Sequence, residues 1–292
     1  MTADDIQRDP ASANEIPRDG GVPPAPPPRA WKDRYVHRFY RSRPGWVDGT
    51  VEFFNFIRRN ATPASTASTA STAQPATVDN SQPSPPTRVL ELGPGPQSPT
   101  TRFLVSTFGP VDGLDVDPDI RNNPDLRERT VYDGRLWPLP DRSYDLIVSD
   151  FVLEHVEDPA TTFREAARVL APGGVFCFRT PNLFHYVTLG SLLTPHWFHV
   201  WAGRRLKGHA AGSHAEYPTF YRANSAAAVR RHARSAALEE VELLRVEKEP
   251  SYASVSRVLF LTFTAYERVV NSTPLLAWAR IGLFGAYRRP RE

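Results

Sequence analysis

The sequence predicts an α/β fold: a Rossmann-like, doubly wound sheet of seven strands, mostly parallel with one antiparallel strand. Three observations lead there. From Arg88 onward, short apolar runs alternate with segments of helical period, the pattern of a sheet covered on both faces. The first run ends in Gly93-Pro94-Gly95, a loop that turns a strand into a helix. Two late runs, 240–247 and 281–287, form a hairpin-like pair that puts one antiparallel strand into the sheet.

Taken in order, residues 1–28 end in GGVPPAPPP and carry few apolar side chains. Burial cannot offset a chain entropy of ~1–2 kcal/mol per residue there, so a disordered tail is expected. Residues 29–60 are expected to form a helical cap, with a turn at Pro44-Gly45 and Phe53, Phe54, Phe56 and Ile57 on one apolar stripe. Six Lys and Arg between Arg29 and Arg43 read as a solvated face. Residues 61–87, rich in Ser, Thr, Ala and Pro, read as a flexible linker.

The α/β domain then runs from 88 to 292. Strands are expected at 88–92, 111–116, 130–132, 145–149, 175–179, 240–247 and 281–287. The first helix, 99–108, buries Phe103, Leu104 and Phe108. The clearest helix is 159–170: Asp158 caps it, Pro159 fills the first turn, and Phe163, Ala166, Ala167 and Leu170 repeat along one face. Pro172-Gly173-Gly174 stops it. Residues 224–237 return to helix. The segment 254–271 is helical with Val255, Val258, Leu259, Thr262, Tyr266 and Val269 on one stripe and Phe260 and Phe263 off it. Plain packing of that stripe is the expectation; a dimer contact, an apolar acceptor pocket and a membrane surface are its alternatives.

Composition narrows the function. A single cysteine, Cys177, excludes a disulfide framework and a multi-cysteine zinc site. No run of about 18 uncharged apolar residues predicts a spanning helix. The start, MTADDIQRDP, lacks a basic n-region and an apolar h-region, so no secretory signal is expected. Together these predict a cytoplasmic protein. A net charge of +3 is too small to argue for nucleic acid.

Ligands of doubly wound sheets bind beyond the carboxyl ends of the strands, at the point where strand order reverses. Three candidate positions fall there. Gly93 and Gly95 let backbone approach a ligand, and the helix after them offers unpaired N–H groups; a plain strand-to-helix turn has the same pattern. Asp115, about 20 residues on, is placed to accept from a ribose diol, and reads as a solvent-edge aspartate. Asp133 and Gly134 follow the third strand. A dinucleotide fold shares the first two features, but it wants a third glycine where Ser98 stands.

The stretches VLELGPGP (89–96), GLDVDPDI (113–120) and LWPLPDRSYDLIVSDFVLEHVEDPATTFREAARVLAPGGVFCFRTPN (136–182) resemble the class I S-adenosylmethionine-dependent methyltransferases of the type 11 kind. The resemblance covers 88–182. It implies a methyltransferase domain over 88–292 with S-adenosylmethionine as cofactor. By that likeness Glu91, Gly93 and Gly95 surround the methionine portion and Asp115 takes the ribose hydroxyls. Asp133 and Gly134 stand beside the adenine, and Asp150 and Phe151 flank the sulfonium. Pro94 and Gln97 depart from the family's usual small residues and stiffen the loop. His155, in LEHV, is the candidate general base, against a structural hydrogen bond at a helix start.

Residues 181–219 are read as an insert or lid on the acceptor side. Its histidines, His185, His196, His199, His209 and His214, lack the carboxylate and cysteine company of a metal site, so no metal is expected. The acceptor, a small molecule, glycan or lipid precursor, is methylated on O, N or C. Two rival readings are an NAD(P)-dependent oxidoreductase and a cofactor-binding, non-catalytic interaction protein.

Overall fold

The computed structural model describes residues 30–61, 88–193, 217–250 and 256–291. The expected tail and most of the linker and lid lie outside them, as do His196, His199, His209, His214 and Val255. Seven strands form one sheet in the order β3-β2-β1-β4-β5-β7-β6. They are β1 (Val89–Leu92), β2 (Val111–Asp115), β3 (Glu128–Val131), β4 (Tyr144–Asp150), β5 (Leu170–Pro181), β6 (Glu239–Val246) and β7 (Gly282–Arg288). Strands β1 to β5 pair in parallel, and β7 runs antiparallel to both of its neighbours. The order reverses between β1 and β4, which places the ligand crevice beyond their carboxyl ends.

Helices cover both faces. α2 (Gly49–Ala61) and α3 (Pro99–Phe108) lie on one, where Phe53, Phe56, Ile57 and Leu104 are fully buried with Val89, Val111 and Val148. α4 (Pro159–Val169) and α6 (Ala226–Ser235), separated in the chain by β5 and α5 (Tyr186–Leu193), lie on the other, where Phe163 and Val229 meet Ile147, Phe176 and Phe178. Because both faces are covered, β1 and β2 are buried at every position. Each fully buried large apolar side chain contributes about 1.5–3 kcal/mol.

The helix starts are set by local chemistry. Ser98 accepts from the N–H groups of Thr100 and Thr101 at the head of α3, with Pro99 in the first turn. Asp158 accepts from Thr161 N–H at 3.2 Å to start α4, and Ser225 from Ala228 N–H at 3.2 Å to start α6. These side chains satisfy donors the helix itself cannot.

Four expectations are corrected. Phe108 is half-buried rather than buried. The third strand covers 128–131, ahead of the expected 130–132. Pro172-Gly173-Gly174 ends α4 but lies within β5, whose pairing with β4 jumps from Tyr144↔Leu170 to Leu146↔Val175 across an irregularity in register. The fourth concerns α7 (Arg257–Asn271), inserted between β6 and β7. Of its predicted packing stripe, Val258, Leu259, Thr262 and Val269 are exposed, and Phe260, expected off the stripe, is fully buried. Phe260 packs edge-on against Trp31 and Tyr40 of the N-terminal segment. That segment consists of α1 (Ala30–Val36) and the wider turn that extends it to Arg41.

Candidate active site

The loop after β1 is built by backbone constraints. Gly93 has φ +70°, and a Cβ there would stand 2.4 Å from Val152 Cγ2. Its N–H donates to Leu114 O at 2.8 Å. Gly95 has φ +60° and nothing within 4 Å of the place a Cβ would take, so its bare side opens onto free space. Pro94 packs against Gly113, where a Cβ would meet Pro94 Cγ at 3.1 Å. The stiff proline thus fits a neighbour that lacks a side chain.

Asp115 fastens this loop to β2. Gly95 N–H donates to Asp115 Oδ2 at 2.8 Å, and Asp117 N–H donates to Oδ1 at 2.9 Å. Asp115 is only 8% exposed, a correction to the solvent-edge reading. Burial pushes its pKa up, opposed by those backbone hydrogen bonds. Tyr132 N–H donates to Asp115 O at 3.0 Å, which brings the loop after β3 alongside. There Asp133 is exposed and accepts from Arg135 N–H at 2.9 Å. Gly134, at φ +82°, sits beside Val116, 3.6 Å from where its Cβ would be. Val116 is exposed, an apolar side chain next to the ribose candidate that sequence reasoning missed.

The head of α3 ties β1 to β4. Ser98 and Thr101 hydroxyls donate to Glu91 at 3.1 and 2.6 Å, and the Thr100 hydroxyl donates to Asp150 Oδ2 at 2.6 Å. Asp150 is further held by Arg179, whose Nε donates to Oδ1 and Nη2 to Oδ2 at 2.9 Å. Arg179 Nη1 donates to Gly49 O at 3.1 Å, and its guanidinium lies between the rings of Phe53 and Phe151. Phe151 holds φ +54°, rare for a non-glycine residue, and its ring is exposed. Arg179 was missed from sequence; it is Asp150's partner in the β4–β5 register, a relation visible only once strand order is known.

Glu91 is fully enclosed. Burial drives its pKa up to about 7, its two hydroxyl partners oppose that, and Asp150 and Asp115 push further upward. A carboxyl with a raised folded pKa favours folding most when both states are protonated, below its unfolded pKa. Its contribution falls as pH rises from about 4.5 toward 7. Glu91→Gln is therefore expected to flatten the stability curve over that window in urea unfolding at several pH values. An unchanged slope would show that Glu91 is ionised in the folded protein.

His155 lies in a short turn, Leu153–His155, after β4. Its Nδ1 is 3.1 Å from Pro218 O. A carbonyl can only accept, so Nδ1 carries the proton and Nε2 holds the lone pair in the neutral ring. Tyr217 stands edge-on to His155 and its hydroxyl donates to Asp117 Oδ2 at 2.7 Å. This segment therefore links the carboxyl ends of β4 and β2. Glu154 anchors it: its carbonyl accepts from Phe220 N–H at 2.7 Å, and its carboxyl accepts from the Thr180 hydroxyl at 3.1 Å. Burial raises that carboxyl to about 7.

Gly95 and Asp115 thus form one hydrogen-bonded group, with Gly93 tied to β2 and Gly134 adjoining through Val116, while the head of α3 holds Glu91 and Asp150 in a second, with Phe151 next in chain. His155 joins through Tyr217 and Asp117. His185, weighed as a metal ligand, is buried with Nε2 3.5 Å from Glu247 Oε2. Burial lowers the imidazole's pKa and raises the carboxyl's. Among the described residues no group of three or more His, Cys, Asp or Glu is placed to hold a metal ion. None of their helices is long and apolar enough to cross a membrane.

Residues 53–225 match the family model of a methyltransferase domain. A 45-residue stretch is 53% identical to a probable S-adenosylmethionine-dependent methyltransferase of Mycolicibacterium smegmatis, covering 15% of this chain and 18% of that protein. The chain therefore spans under a fifth of that relative's length. A 209-residue stretch is 29% identical to the demethylmenaquinone methyltransferase of Roseiflexus sp., covering 66% of this chain and 79% of the relative. A solved S-adenosylmethionine-dependent methyltransferase from Mesorhizobium loti aligns at 18% identity and a TM-score of 0.46, over 69% of this chain and 90% of that one.

Proposed function

Because this chain belongs to the S-adenosylmethionine-dependent methyltransferases, we propose that its crevice beyond β1, β2 and β4 moves a methyl group to a small-molecule acceptor approaching past His155. The observation that carries this reading is the Gly95–Asp115 clip, with bare glycine backbone facing open space beside a buried carboxylate.

The cofactor, when bound, supplies an electrophilic methyl group on a cationic sulfonium. The donor set fits such a group. Asp115 offers a carboxylate with further lone pairs to a ribose diol, while Val116 and Gly134 give an adenine an apolar edge. Asp133 lies beside that edge, placed to accept from an amine. Gly93 and Gly95 line the methionine end, and enclosed Glu91 supports them from behind by accepting from the Ser98 and Thr101 hydroxyls at the head of α3. Asp150 and Phe151 stand at the end of β4, held in place by Arg179 and Thr100. The described part of the cap contributes directly, since α2 closes one face of the sheet and meets Arg179 through Gly49.

His155 is the residue assigned to proton removal from an O or N acceptor. Pro218 fixes its tautomer, and the free Nε2 takes the proton as the acceptor attacks. General bases contribute about 10²–10⁴-fold. The test is a metabolite extract incubated with methyl-labelled cofactor, scored by mass spectrometry for a gain of one methyl. His155→Gln is expected to cut labelling at least about a hundredfold while S-adenosylhomocysteine binds as before. Unchanged labelling would leave His155 the structural role of holding the Pro218 segment. Absence of labelling by any acceptor, with cofactor bound, would favour a non-catalytic protein.

A further inference from the structure

Helix α7 turns an apolar face to solvent. At about 100° per residue, Val258, Leu261, Thr262, Ala265 and Val269 share one arc, and all are exposed. The other side carries Phe260, Thr264, Glu267 and Val270, and all are buried. The inward polar groups have found partners: the Tyr40 hydroxyl donates to Thr264 Oγ1 at 3.2 Å, and Asn271 Nδ2 donates to Glu267 at 2.8 Å. Between Arg257 and Glu267 the sequence carries no charge. The apolar surface continues into the turn Pro274–Ala279. Val258 is 72% exposed, Leu275 84% and Trp278 55%. So large an exposed apolar surface, on a helix whose other side is already packed, is not what water selects.

What adjoins this face is basic. The N-terminal segment packs on α7 through Trp31, Tyr35 and Tyr40 against Phe260, and Arg268 Nη2 donates to Phe39 O at 2.8 Å. Its Arg34, Arg38 and Arg41 are exposed, as is Arg43 just beyond it. Asp33 is the one acidic residue between Ala30 and Trp46. Exposed Arg257 adds a further cation at the start of α7. On the other side, Asn182 at the end of β5 donates to Trp278 O at 2.7 Å and Arg280 O at 2.8 Å. The apolar face therefore borders the carboxyl edge of the sheet, where the acceptor arrives.

We propose that α7 and the Pro274–Ala279 turn dock this protein on an anionic lipid surface, with the arginines of the N-terminal segment meeting the headgroups. Apolar side chains beside a basic rim are what binds such a surface, and a Trp suits the boundary between headgroup and acyl chain. A symmetric contact between two copies would use the same patch twice, and so bring two basic segments to one interface, where like charges repel. The proposal stands whatever the methyl acceptor is.

The test is co-sedimentation of the full chain with vesicles of phosphatidylcholine alone or with phosphatidylglycerol added. Binding is expected to be stronger to the anionic vesicles and to weaken with salt. The double variant Val258→Glu/Leu275→Glu is expected to lower the partition coefficient about tenfold or more, equivalent to ~1.4 kcal/mol. Arg38→Glu/Arg41→Glu should remove the preference for phosphatidylglycerol. Both variants should bind S-adenosylhomocysteine as the parent does, which shows that the fold is intact. No binding of the parent to anionic vesicles, or equal binding by all three proteins, would overturn the proposal. So would self-association in vesicle-free solution that Val258→Glu/Leu275→Glu abolishes, because the face would then belong to a second copy.

Discussion

Asp115→Ala is expected to weaken cofactor binding by two to four orders of magnitude. A hydrogen bond to a charged group is worth about 1.5–3 kcal/mol, and a ribose diol offers two, so the loss is about 3–6 kcal/mol. S-adenosylmethionine and S-adenosylhomocysteine should suffer alike, because both carry the ribose. Part of the effect arises before any ligand arrives. Asp115 accepts from Gly95 and Asp117 N–H groups, so alanine leaves two loop donors without their partner and lowers stability by about 1–3 kcal/mol. Asp115→Asn separates the two contributions, since its amide oxygen can still accept one of those bonds. Asp119 is exposed and two residues beyond Asp117; Asp119→Ala should change little. Titration calorimetry with S-adenosylhomocysteine on the three variants decides the matter. Equal, small losses at Asp115 and Asp119 would place the ribose elsewhere.

What was legible in the sequence and what was not divide along physical lines. The loop at 93–96 was readable because its requirements are local: positive φ at Gly93 and Gly95 is a property of the residue itself. The Asp158 cap and Pro159 were readable for the same reason. Arg179 was not, because its partner Asp150 becomes a neighbour only through the parallel pairing of β4 with β5. Tyr217 was not, because its contact with Asp117 spans a hundred residues. Helix α7 is the instructive miss. Periodicity tells which side chains share a face but not which way the face points. Here Thr264 and Glu267 found hydrogen-bond partners inside, and Phe260 found an aromatic nest at Trp31, Tyr35 and Tyr40. Glu267 finds Asn271 and Arg268 within the helix, but the partners of Thr264 and Phe260 come from the far end of the chain, so no window on 254–271 contains the information that turns the face.

Arg179→Met should cost about 3–5 kcal/mol of stability, the usual result of stripping one partner from a buried ion pair. Both side chains are largely enclosed, Arg179 at 9% exposure and Asp150 at 15%. The loss has three sources. Asp150 loses its guanidinium partner and retains the Thr100 hydroxyl. Gly49 O loses a donor where α2 meets the sheet. The rings of Phe53 and Phe151 lose the guanidinium that lies over both. Adding Asp150→Asn should recover part of the loss, because the amide carries no charge to strand. Urea unfolding of the parent, the two single variants and the double variant forms a cycle, in which a coupling well above about 1 kcal/mol is expected, as neighbours in one network do not add. Phe151 also gives a local reading. Its positive φ is held by its N–H bond to Arg179 O at 3.0 Å and by the stacked guanidinium. Removing the guanidinium leaves only the backbone bond, so cofactor affinity in Arg179→Met should fall further than in Asp150→Asn, in which Arg179 still covers the ring. Additive stabilities together with equal affinities would mean that Arg179 merely fills space beneath α2.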